Sequence, residues 1–199
     1  QDEIVVGIPA IGRELSGMDM AIGMFVGTLP IRMGIKDNDS IDYFIKNVSQ
    51  KVINGIENQN YPLEAMLDFV DAERMDGHNL IFDAAFTSWE GKGEISLGDI
   101  LCESITEFDL HTKVKYDLTF DVSFNDEIIV SVEYAADIFA CKTIERMLDH
   151  YNNLLLQIIE LEKKNISSLE LPTEAEKTKI IKEFNSTEKS ISRGKVFHE

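Results

Sequence analysis

The chain has 199 residues, of which 44% are hydrophobic, and its 36 acidic side chains outweigh 19 basic ones to give a net charge of -17. That excess repels nucleic-acid phosphates and anionic membrane surfaces, so neither is expected as a partner, and the apolar content excludes a disordered chain. A domain of this size buries roughly 70% of the surface its unfolded chain exposes, enough for a continuous core. No apolar run approaches the ~18 residues of a membrane span and residues 1–3 do not resemble a signal peptide, so the expected location is the cytoplasm.

Residues 165–199 balance acids against bases, so the acidic excess belongs to residues 1–164. This break divides the chain into a domain, 1–167, and a linker, 168–199. Glu3 to Ala10 is a short β-branched run closed by Pro9 and Gly12, the pattern of a buried strand. A chain that opens on a core strand with no lead-in is expected to be part of a longer protein. Asp39-Ser40 offers an N-cap, and Ile41, Phe44, Ile45, Val48, Val52, Ile53 and Ile56 follow at helical spacing. Pro62 suits the first position of a second helix, with Glu64 near its N-terminal dipole and Met66, Phe69 and Val70 as its apolar face.

Residues 80–89 form a further candidate strand. From Val114 to Phe124 apolar and polar residues alternate, Asn125-Asp126 suits a tight turn, and Ile128, Val130, Val132 and Tyr134 continue the alternation in a partner strand. A third helix is predicted from about Thr143 to Lys164, with Ile144, Met147, Leu148, Tyr151, Leu154, Leu155, Ile158, Ile159 and Leu161 at helical spacing. Leu171-Pro172 then breaks the chain, and Thr173 with Glu176 forms a capping box for a short helix reaching about Phe184. Long helices mixed with separated strands and one hairpin predict an α/β, two-layer sandwich with a mixed sheet.

Signatures of the common hydrolases, kinases, dehydrogenases and zinc proteases are absent. His78, His111, His150 and His198 are the available general bases, and none stands beside a His or acid in a recognisable catalytic pattern, so solvated or structural roles are expected. Asp37, Asp39 and Asp42 lack the glycine and terminal glutamate of a calcium loop and read as helix-capping residues. Cys102 and Cys141 have no companion at metal-ligand spacing and are expected to be buried free thiols; no metal site is expected. No residue of the chain is assigned a catalytic role. Ser88 and Trp89, at the end of the 80–87 strand before Gly91 and Gly93, sit where a strand meets a loop and are candidates to line a channel, with core packing the favoured role for Trp89.

Three segments carry a family resemblance. Gly23-Met24-Phe25-Val26-Gly27-Thr28-Leu29-Pro30-Ile31-Arg32 matches Gly-x-Phe-Val-Asn-Thr-Leu-x-x-Arg except that Gly27 replaces Asn. Asn58-Gln59-Asn60-Tyr61-Pro62-Leu63-Glu64 matches His/Asn-Gln-Asp-Tyr/Val-Pro-Phe-Glu, with Asn60 and Leu63 departing. Arg74, Asn79 and Phe82 are what remain of Arg-Asp-x-Ser-Arg-Asn-Pro-Leu-Phe. In this order and spacing they resemble the condensation domain of nonribosomal peptide synthetases, and Leu171 to Glu199 is similar to the linker from that domain to an adenylation domain.

The resemblance implies a chloramphenicol acetyltransferase-like lobe, the C-terminal half of a domain that joins a carrier-bound acyl or peptidyl donor to an aminoacyl acceptor. The family's His-His-x-x-x-Asp-Gly motif belongs to the upstream lobe and does not occur here, so the chain alone is expected to be inactive. The implied partners are that N-terminal lobe, peptidyl carrier proteins and a downstream adenylation domain. No cofactor is expected to be bound directly; the carriers' phosphopantetheine arms would enter the parent active site.

By the same resemblance Gly27 and Thr28 join Ser88 and Trp89 as channel candidates, while Gly23, Phe25, Arg32, Gln59, Tyr61, Pro62, Arg74 and Asn79 are expected to be structural. Gly23 and Gly27 suit close backbone packing. Residues 11–20 look like the family's floor loop and 90–106 like its latch. The alternatives are the matching lobe of an epimerization domain and a non-catalytic module that docks carriers.

Overall fold

The computed structural model describes residues 3–13, 16–70, 81–90, 95–97, 100–102, 113–124, 127–160 and 164–187. Among these, strands β1 (Glu3–Ala10), β2 (Gly27–Gly34), β3 (Ala84–Glu90), β6 (Leu118–Phe124) and β7 (Ile128–Tyr134) form one sheet in the order β2-β1-β3-β6-β7. β1 runs antiparallel to β2, β3 lies parallel to both β1 and β6, and β6 pairs antiparallel with β7. The sheet is mixed, as the pattern predicts. Strands β4 (Ile95–Leu97) and β5 (Ile100–Cys102) make a separate antiparallel pair inside the expected latch.

Helices α1 (Ile41–Glu57) and α3 (Cys141–Glu160) occupy the same side of the sheet, α1 reaching Leu29 and Ile31 and α3 reaching Phe120. The register with its alternating pleat puts Ile8, Leu29, Ile31, Phe86, Phe120 and Val122 on one face, and Gly7, Thr28, Thr87, Trp89, Asp121 and Ser131 on the other. On the first face Ala10, Leu29 and Ile31 form a buried cluster joined by Ile8, Met33 and Val52 of α1, and Phe120 meets Tyr151 of α3 at 5.4 Å between ring centroids. The result is a sheet layer and a layer of long helices. Gly55 sets the α1 approach: a Cβ there would lie 2.7 Å from Ile31 Cδ1.

Local signals explain the helix ends. Ser40 caps α1 by accepting a hydrogen bond from Tyr43 N at 3.2 Å, and Ile41 just after it is 2% exposed. Pro62 sits one position before α2 (Leu63–Val70), its carbonyl accepting from Met66 N at 3.2 Å. The capping box of Thr173 and Glu176 opens α4 (Glu174–Thr178), which continues as a wider π-type turn over Lys179–Glu183. The chain after α3 stitches the helical layer together: Ile41 N donates to Lys164 O at 2.9 Å, and Ile166 N and Ser167 N donate to the carbonyls of Asp39 and Asp37.

Two expectations are revised. The alternation from Val114 enters the sheet only at Leu118, because Tyr116 turns aside to pack on Phe82. Cys141, expected to be buried, is an exposed free thiol in the first turn of α3. Cys102 closes β5, and the Asn125-Asp126 turn lies outside the described residues, although Phe124 and Ile128 pair across it.

Candidate functional site

The four channel candidates arrive at one end of the sheet. Gly27 and Thr28 open β2 opposite Ala10 and Pro9 at the close of β1, while Ser88 and Trp89 lie toward the close of β3, which runs parallel to β1. Pleating then splits them. Thr28 and Trp89 belong to the face away from the long helices, and Gly27 and Ser88 to the helical face.

On the outward face the Phe82 ring lies over Gly7, where a Cβ would be only 2.2 Å from Phe82 Cε2. Tyr116 packs on Phe82 at 5.3 Å between centroids and brings its hydroxyl to 3.1 Å from Thr28 Oγ1. Farther along, Asp121 Oδ1 accepts from Thr87 Oγ1 at 2.6 Å and from Trp89 Nε1 at 2.8 Å. Trp89 remains 40% exposed, so the expectation of core packing is set aside in favour of an indole anchored at its nitrogen with its ring open to the surface.

The loop between β1 and β2 borders this end and is organised by Arg13. Its guanidinium donates to the carbonyls of Met18, Ala21 and Gly23 and lies 4.5 Å from the centroid of the Phe25 ring. Gln59 joins the loop to the end of α1, its Oε1 accepting from Gly12 N at 2.9 Å. This loop requires two glycines: Gly17 has φ 88°, and Gly12 has φ 67° with a Cβ there meeting Phe25 O at 2.2 Å. Gly27, for which close packing was expected, has nothing within 4 Å of where a Cβ would stand, and Gly23 meets only the Phe25 ring. The tight spot therefore lies at Gly12. Sequence reading missed Arg13 as the organiser, although three carbonyls without strand partners call for such a donor.

Arg32 pairs with Glu3 across β1 and β2, with Nε 3.1 Å from Glu3 Oε2 and both side chains more than half exposed. Tyr61 is exposed; with Val5, Pro30, Arg32, Met66, Phe69 and Ile81 it lines a cleft of about 490 Å³ at the margin of the outward face. Arg74, Asn79, His78, His111 and His198 lie outside the described residues.

His150 does have an acidic partner, contrary to the sequence reading. Its Nε2 stands 2.6 Å from Glu176 Oε2, with side-chain exposures of 19% and 27%. The His150 hydrogen bond, seconded by Thr173 N, holds the Glu176 carboxyl below its ordinary range against the opposing effect of burial. The pair joins α3 to α4 on the helical side of the sheet, beside an apolar cavity of about 440 Å³ lined by Met147, Tyr151, Leu154 and Leu171 among others. It fastens the segment after α3 to the domain and is separated by the sheet from Thr28, Trp89 and Asp121. Among the described residues no group of three His, Cys, Asp or Glu is placed to hold a metal, and no helix is long and apolar enough to cross a membrane.

A five-stranded mixed sheet carrying its long helices on one face defines a chloramphenicol acetyltransferase-like lobe. The condensation domain model matches residues 1–181, and the chain belongs to that family. It is 33% identical over 189 residues to gramicidin S synthase 2 of Brevibacillus brevis, covering 94% of this chain and 4% of the relative. With surfactin synthase subunit 1 of Bacillus subtilis it shares 32% over 188 residues, 93% of this chain and 5% of the relative. Among solved structures, the four-domain nonribosomal peptide synthetase AB3403 has a TM-score of 0.78 at 17% identity, over 89% of this chain and 15% of that one. The X-domain from teicoplanin biosynthesis, in complex with OxyB, has a TM-score of 0.72 at 19% identity, over 86% of this chain and 38% of that one. The chain thus spans a small fraction of the curated relatives it matches and about two fifths of the X-domain chain.

Proposed function

We propose that this polypeptide is the C-terminal lobe of a nonribosomal peptide synthetase condensation domain and forms one wall of the tunnel in which the amide bond is made. The observation that carries the reading is the two-sided sheet: both long helices cover one face, while the other presents Thr28, Tyr116, Thr87, Asp121 and Trp89. Such a polar, indented face suits a wall closed by a second lobe. The fraction of the X-domain that the chain matches supports the same division. Residues 1–167 form the lobe and 168–199 the linker toward an adenylation domain, with the His150–Glu176 pair supporting a fixed linker path.

In the reaction the acceptor amine attacks the donor thioester carbonyl, the new C–N bond forms, the C–S bond breaks, and the donor carrier's pantetheine leaves as a thiol. The attacking nitrogen must lose a proton, and in this reading the base is the histidine motif that the family carries in the upstream lobe. Here the chain shapes and orients. Thr28 and Trp89 are the wall residues in this reading, with Gly27 and Ser88 at the same end of the sheet on its helical face; the partners are the upstream lobe, two carriers and the adenylation domain.

Acyl-loaded donor and aminoacyl-loaded acceptor carriers, mixed with this chain alone or with a protein joining it to its upstream lobe, test the proposal by mass spectrometry. Amide product is expected only with both lobes. Product from the chain alone, or none from the joined lobes, would refute it; an epimerised donor without amide would assign the lobe to an epimerization domain.

A further inference from the structure

The register sets three rows across β3, β6 and β7 on the outward face: Ala85–Thr119–Glu133, Thr87–Asp121–Ser131 and Trp89–Ser123–Ile129. The rows contain two carboxylates and no base. Asp121 stands at the centre, half-buried, with Oδ1 held by Thr87 Oγ1 at 2.6 Å and Trp89 Nε1 at 2.8 Å, while Ser131 Oγ reaches its main-chain carbonyl at 3.5 Å. Oδ2 receives no hydrogen bond from any described residue, and it is not sealed from solvent. A carboxylate oriented by two donors on one oxygen, with the other oxygen free, is a preorganised acceptor for a cation.

We propose that Asp121, steadied by Thr87 and Trp89, is a subsite for a primary ammonium group of an aminoacyl substrate. This rests on the reading of the face as a tunnel wall. Charge decides the occupant: once a second lobe covers the face, an anionic or non-donating group would leave Oδ2 desolvated, and a neutral donor would restore its hydrogen bond but leave its charge unbalanced, whereas an ammonium does both. The exposed Trp89 ring beside Oδ1 adds a cation-attracting surface. Two groups share this chemistry, the α-amine of the acceptor and the terminal amine of a basic side chain.

Trp89 is the single tryptophan of the chain, so its emission reports directly on the residue that holds Asp121. The 199-residue chain is titrated with amide-linked pantetheine analogues: norleucyl, carrying only the α-ammonium; Nα-acetyl-lysyl, carrying only the side-chain ammonium; and Nα-acetyl-norleucyl, carrying neither. A saturable emission change is expected with at least one ammonium probe, weakened by added salt and absent with the neutral probe. Asp121→Asn, which keeps an oxygen for Thr87 and Trp89, should weaken it by roughly fivefold, the scale of a partly exposed charge-assisted hydrogen bond.

A response to the norleucyl probe assigns the subsite to the α-amine, and a response confined to the Nα-acetyl-lysyl probe assigns it to the side chain. Equal binding of the neutral probe, no response to either ammonium probe, or unchanged affinity in Asp121→Asn would overturn the proposal. The neutral-probe and salt arms use the unaltered protein and so hold even if the variant misfolds. Because no turnover is read, failure of the two-lobe assay would count against the proposed function and leave this titration standing.

Discussion

Replacing Gly7 by Ala sets a small gain against a larger loss. In a strand, an added methyl stabilises by about 0.4–1 kcal/mol through the unfolded chain. At residue 7 that methyl would stand 2.2 Å from Phe82 Cε2 and 2.7 Å from Cδ2 and Cζ, where carbon contacts need about 3.5–4.0 Å. The Phe82 ring must move by more than about 1 Å. It cannot do so freely, being 5% exposed and packed against Tyr116, whose hydroxyl meets Thr28. Overpacking of this kind costs about 1–3 kcal/mol, so the net sign is destabilising. At about 2–4 °C per kcal/mol for a chain of this size, the melting temperature of Gly7→Ala should fall by several degrees. Phe82→Ala should cost about 3–5 kcal/mol as a cavity. In the double variant the methyl occupies part of that cavity, so the combined cost should fall short of the sum by about 1 kcal/mol or more. Urea unfolding of the four proteins measures the cycle. Strict additivity, or a Gly7→Ala protein as stable as the parent, would refute the claim that Gly7 seats the Phe82 ring.

Glu176 predicts a pH dependence. Its folded-state pKa is the lowered one, so its stabilising contribution is complete above about pH 4.5 and is lost as pH falls through the depressed value; protection of amides 173–183 from hydrogen exchange should drop over that acidic range in the parent and lose this step in Glu176→Gln. Arg13→Lys keeps the charge but not the fork that reaches the carbonyls of Met18, Ala21 and Gly23, so proteolysis within 16–26 should quicken while urea stability changes little; unchanged cleavage would argue against Arg13 as the organiser. Cys141 should react with a thiol reagent in the native protein without prior unfolding, and Cys141→Ser should remove that fast phase. Thr173→Ala should weaken the docking of α4 by about 1 kcal/mol, read as reduced exchange protection in 174–183 with the sheet unaffected.

Signals contained within one element were legible from the residues. The helices α1 and α3, the Ser40 cap, the Thr173–Glu176 box, the turn at Asn58 to Glu64 and the β6–β7 alternation each depend on neighbours a few positions away, and each is present in the structure, although Ile45, Ile53 and Ile56 of the α1 stripe and Leu155 and Ile159 of the α3 stripe stay exposed. The family motifs likewise pointed to the right family and fold. Tertiary structure decided the rest, because periodicity tells which side of an element is apolar and does not tell what covers it. Alternation through Val114 and Tyr116 gave no sign that Tyr116 would leave the strand for Phe82 and Thr28. Nothing local distinguished Gly12, pressed against Phe25, from Gly27 in open space. His150 and Glu176 lie 26 residues apart, and Trp89 and Asp121 lie 32 apart; their pairing required the sheet order and helix placement that bring distant side chains within hydrogen-bond reach.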